Sequence, residues 1–138
     1  MARLDKIHEI VKTALIKDGW TITHDPFTIQ FEEFDLYVDL AAERVFAAQR
    51  GSEQIAVEIK SFLLPSKVQD LKLALGQYEL YKGYMQVVEA DRKLFLAIGE
   101  DIYRTFFQKK AVQFVVNQKR LPLIIVNLDK EEIVEWIN

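Results

Sequence analysis

The run Ile55-Ala56-Val57-Glu58-Ile59-Lys60 constrains this chain most, because its apolar and polar residues alternate with a period of two. A strand over these residues turns Ile55, Val57 and Ile59 to one side and Glu58 and Lys60 to the other. Residues two apart on a strand lie roughly 6.5 Å from each other on one face. Glu58 and Lys60 therefore point together, and Asp39 precedes Glu58 by nineteen positions, on the preceding extended stretch. Two carboxylates can hold a hard divalent cation through oxygen, and a neighbouring ammonium can orient or help deprotonate a water. Those are the parts of a metal-assisted phosphodiester hydrolase. An isolated Glu-x-Lys is more commonly a solvent-facing ion pair that contributes roughly 0–1 kcal/mol, so the pattern needs its context.

That context is mixed α/β. Leu4, Ile7, Val11, Ala14 and Leu15 recur at helical spacing, and Gly19 is placed to stop the helix. Trp20 to Thr23 reads as a short strand, His24-Asp25-Pro26 as a turn, and Phe27, Ile29 and Phe31 as a half-buried strand. Phe34 to Leu40 is extended, with Asp35 and Asp39 on one face; Asp39 is the preferred site carboxylate because it lies nearer the following hairpin. Arg44 to Arg50 and Gln54 to Ser61 flank Arg50-Gly51-Ser52-Glu53 as a hairpin. Ser66 and Gln69 have capping-box spacing ahead of a helix over about Lys67 to Tyr84. Its apolar face is read as Val68, Leu71, Leu75 and Tyr78, beside a side bearing Ala74, Gln77 and Tyr81. Leu94 to Ile98 is a central strand, Glu100–Phe107 and Ala111–Gln118 are helical, and Leu123 to Val126 is a buried strand. Asp129 with Glu132 is expected to cap a short C-terminal helix.

At 138 residues, half of them apolar, the chain is expected to be one domain, 1–138, with a real core. It has no cysteine, which excludes disulfides and thiolate metal sites and fits a cytoplasmic location. Neither a signal peptide nor a membrane span is expected. His8 and His24 lack ligand-spaced partners, so no zinc site is expected. Lys109-Lys110 and Lys119-Arg120 read as solvated helix ends, and Trp136 and Ile137 as packing residues. The net charge of −3 is low for a free-standing DNA binder, so DNA contact calls for local clusters, a metal, an oligomer or a basic partner.

The order of these elements, with Asp39 on one strand, Glu58-x-Lys60 on the next and a helix after it, resembles the PD-(D/E)XK nuclease superfamily. The implied fold is restriction-endonuclease-like: a mixed central sheet flanked by helices. Within that superfamily the chain is similar to the XisH family, the fdxN-element excision controlling factors of cyanobacteria. The closer match lies in the blocks from Asp18 to Pro26, Asp35 to Leu40, Ala56 to Phe62 and Ala74 to Tyr78. The resemblance implies control of programmed DNA-element excision beside a site-specific recombinase and a companion factor. It implies Asp39 and Glu58 as ligands of Mg²⁺ or Mn²⁺ and Lys60 as the catalytic amine. Gln77 and Tyr81 match a Gln-x-x-x-Tyr helix that positions substrate, and Glu9 matches a helix-1 glutamate that completes the metal shell. A non-catalytic accessory factor on the same fold is the alternative, since shared folds host unrelated roles.

Overall fold

The computed structural model describes residues 2–27, 29–36 and 45–138. Its elements run α1 (Ala2–Lys17), β1 (Thr21–His24), β2 (Ile29–Phe31), β3 (Phe34–Leu36), β4 (Val45–Arg50), β5 (Glu53–Ile59), α2 (Lys67–Val88), β6 (Arg92–Gly99), α3 (Glu100–Arg104), a 3-10 turn (Phe106–Gln108), α4 (Lys110–Lys119), β7 (Leu123–Asn127) and β8 (Glu132–Ile137). Among the described residues, six strands form one sheet in the order β1-β4-β5-β6-β7-β8, and β2 pairs with β3 in a second, two-stranded sheet. The sheet is parallel at β5-β6-β7 and antiparallel at its flanks. This is a mixed α/β fold with helices on both faces of a central sheet.

Alternation along β5 divides the core. Ile55, Val57 and Ile59 pack with Val11, Ala14 and Leu15 of α1. Ala56 lies on the other side with Ala74, Tyr78, Tyr81 and Met85 of α2. β6 and β7 are buried on both faces, as parallel strands between helical layers must be. Gly19, at φ +92°, ends α1 in the left-handed region that a side chain resists. Ser66 caps α2, its Oγ accepting from the Gln69 N–H at 3.1 Å. The Tyr78 hydroxyl donates to the Leu94 carbonyl at 3.3 Å and ties α2 to β6.

Two elements differ from expectation. The segment after Asp129 is not a helix: Glu132–Ile137 is β8, antiparallel to β7. Asn127 Oδ1 accepts from the N–H groups of Asp129 and Lys130, and Glu131 takes φ +54°, which turns the chain back into a hairpin. Six residues with β-branched Ile133, Val134 and Ile137 cannot sustain an isolated helix, whereas β7 offers an edge to pair with. Trp136 then stacks against Trp20 and Phe95, at 5.6 and 5.1 Å between centroids. The buried arc of α2 is also rotated from the expected one. Val68 stays 55% exposed, while Leu71, Ala74, Tyr78, Tyr81 and Met85 face the sheet. Both sheet edges carry register shifts, between Ile22 and His24 of β1 opposite β4 and between Ile125 and Val126 of β7 beside β8.

Candidate functional site

β5 carries Glu58 between Val45 of β4 and Leu96 of β6. Its side chain shares the α2 face with Ala56. Glu58 is only 2% exposed and both carboxylate oxygens are sealed from solvent. Its charge reaches the Tyr78 hydroxyl: burial pushes that phenol far above its usual range, and the carboxylates of Glu79 and Glu58 add to the rise. Tyr78 is therefore a neutral hydrogen-bond donor at all ordinary pH.

Lys60 continues the ladder one residue past β5, its N–H donating to the Ala97 carbonyl at 3.0 Å. It is half-buried and lines a cavity of about 250 Å³ at the C-terminal ends of β5 and β6, with Ser61, Lys67, Gly99 and Asp101 on the same wall. The strand end is held firmly. Phe62 adopts φ +55°, a conformation bulky residues avoid, and its buried ring is wedged against Phe106 and edge-on to Phe107 at 5.9 and 5.4 Å. Downstream, Asp70 accepts from the Leu64 N–H at 3.0 Å and fixes the approach to α2. Glu58 thus sits inside the protein on the α2 face, and Lys60 lines a hollow that Ile7 and Val11 of α1 also line.

Asp39 lies outside the described residues. Gln77 and Tyr81 lie one turn apart on α2; Gln77 is half-buried, and Tyr81 is packed into the core between α2 and the sheet. Glu9 lies on α1, which packs on the opposite face of the sheet from α2. It sits with His8 and Asp25, three side chains whose ligand atoms lie within 4.8 Å of one another. A cluster of His, Glu and Asp side chains able to coordinate a metal ion is therefore present.

The fold gives His8 the partners that its sequence neighbours do not supply. Ionised Asp25 only accepts, so His8 Nε2–H donates to its two oxygens, at 3.0 and 3.2 Å. Lys12 Nζ donates to Asp25 at 2.6 Å and lies 3.6 Å from Glu9. Burial raises the Asp25 carboxyl, but hydrogen bonds from Lys12 and His8, with their charges, bring it net below the usual range. The Lys12 ammonium is raised in turn, chiefly by its bond to Asp25. His8 and Asp25 are seventeen residues apart, and only the fold of α1 against the β1–β2 turn unites them, so no local spacing announces the pair. An ammonium already supplies the positive charge here, and the imidazole suits a transition metal better than Mg²⁺.

No helix among the described residues is long and apolar enough to cross a membrane. The family model described as XisH protein matches residues 1–134. An XisH family protein from Nostoc punctiforme PCC 73102 is 37% identical over 96% of this chain and 99% of its own, with a TM-score of 0.89. An fdxN element excision controlling factor protein from Anabaena variabilis is 40% identical over 97% of this chain and 99% of its own, also with a TM-score of 0.89. No curated protein matches the chain.

Proposed function

Because the chain belongs to the XisH family, we propose that it is an excision controlling factor for a programmed DNA element, carrying an endonuclease-like site built on β5. The observation that supports this most is that Lys60 lines a cavity at the end of β5, two residues past the buried carboxylate of Glu58. In this reading the fold is that of the PD-(D/E)XK superfamily, and its site is Asp39, Glu58 and Lys60. The two carboxylates are hard oxygen donors that suit Mg²⁺ or Mn²⁺. Such an ion would supply Lewis-acid chemistry to a scissile phosphate and a water. Lys60 would orient the attacking water, and Tyr78, held protonated, keeps α2 in place over Glu58. Gln77 steadies the substrate from the neighbouring helix, while Tyr81 supports that face from within the core. DNA is the substrate, engaged together with a recombinase and a companion factor.

The test is nicking of supercoiled plasmid with Mg²⁺ or Mn²⁺, alone and with the companion factor. Cleavage lost in Asp39→Ala and Lys60→Ala supports the site; no nicking of any DNA form by the wild type refutes hydrolysis. A non-catalytic accessory role is favoured by one observation, the 2% exposure of Glu58 in a chain of net charge −3. Under that reading, Lys60→Ala and Glu58→Gln leave excision intact in a complementation assay.

A further inference from the structure

A second hollow, of about 580 Å³, lies at the other end of the parallel strands, where β6 begins and α2 and α4 end. Five basic residues line it, Lys82, Arg92, Lys93, Lys119 and Arg120, against one acid, Asp91. That excess is local, because the whole chain has 18 basic and 21 acidic residues. Two of the five have structural work. Arg92 donates to the Ile55 carbonyl at 3.1 Å and to Glu89 at 3.2 Å, and lies over the Phe27 ring. Lys93 is bonded to Asn138.

The remaining three, Lys82, Lys119 and Arg120, come from two helices and the turn after α4. Lys119 meets Glu79 only at 4.0 Å. Arg120 is the left-handed residue that ends α4, at φ +49°, with its N–H on the carbonyls of Asn117 and Val116. Glycine is the residue that suits this position best, so the arginine is held there against backbone preference. The hollow has the volume of a small-ligand site. Guanidinium and ammonium side chains lining one hollow together with Tyr78 match the oxygens of clustered phosphates.

From this juxtaposition we propose that the hollow between the C-terminal ends of α2 and α4 and the start of β6 is a phosphate-binding site, taking a diphosphate group or the backbone phosphates of a nucleic acid. It is separate from the Lys60 cavity at the opposite end of β6 and does not depend on any hydrolytic role for Glu58 or Lys60. Binding of inorganic pyrophosphate, followed by calorimetry, tests it. The wild type is expected to bind one equivalent. Lys82→Gln with Arg120→Gly should weaken binding at least about tenfold, the loss of roughly one charge-assisted contact. Arg120→Gly alone should melt at the wild-type temperature or higher, which separates a ligand role from a structural one. Lys109→Gln with Lys110→Gln removes equal charge at the far end of α4, about 15 Å away, and should change binding less than twofold. Displacement of pyrophosphate by a short DNA duplex identifies nucleic acid as the phosphate source, and failure of the duplex to displace it identifies a free phosphorylated ligand. No pyrophosphate binding by the wild type, or equal loss in both double variants, overturns the proposal.

Discussion

Replacing Asp25 by asparagine should destabilise the protein in a way that disappears in acid. Asp25 joins the turn between β1 and β2 to α1 through His8 at 3.0 Å and Lys12 at 2.6 Å, and its side chain is 18% exposed. Asparagine keeps the shape and one carbonyl acceptor but removes the charge, so about one charge-assisted contact is lost. Such a contact contributes about 1.5–3 kcal/mol. A 138-residue chain has an unfolding entropy of roughly 0.29 kcal/mol per degree, so the expected fall in Tm at pH 7 is about 5–10 °C. Because the folded carboxyl lies below its ordinary value of 3.8, its stabilisation is present above that pH and is lost as pH falls through the folded value. Lys12, raised above 10.5, keeps its share until strongly alkaline pH. The stability difference between the two proteins, followed in urea melts from pH 7 to pH 3, should therefore begin to shrink below about pH 4. A Tm difference under about 2 °C at pH 7, or one unchanged through the acid range, refutes the assignment of a charged bridge.

Two further changes probe α2 and β8. Gly76 and Gly83 lie on the exposed side of α2, where an added Cβ would meet nothing within 4 Å. Alanine at each should stabilise by about 1 kcal/mol, nearly additively, and raise Tm by about 7 °C together; a lowered Tm would show that the helix is not formed as described. Trp136→Ala removes the rings' contact with Trp20 and Phe95. Half-buried, it should cost about 2 kcal/mol in chemical denaturation, and a change below about 0.5 kcal/mol would place Trp136 outside the packing.

Much of the architecture was legible from local chemistry. Gly19, the Arg50–Glu53 turn, the Ser66 cap and the apolar run of β6 each act through near neighbours, and each marks the boundary or strand it was read to mark. What escaped was decided at a distance. β8 is a strand because β7 lies beside it, and the buried arc of α2 is set by how the helix rests on β5 and β6. The site divides the same way. Period-two alternation places Glu58 on the α2 face and Lys60 two residues on, but only the overlying helix explains why Glu58 is buried while Lys60 is half-buried and lines a cavity. His8 and Asp25 are far apart in sequence and close only after folding.

The irregular outer strands have a bearing on how other molecules can attach. β1 and β8 each interrupt their ladder, and β8 carries Glu132 and Glu135 along its length. Such a rim resists a further chain adding itself edge-on, the route by which many sheets recruit peptides or polymerise. Along these two rims of the six-stranded sheet, side chains of the helices and connecting segments are better placed than the main chain to receive another molecule.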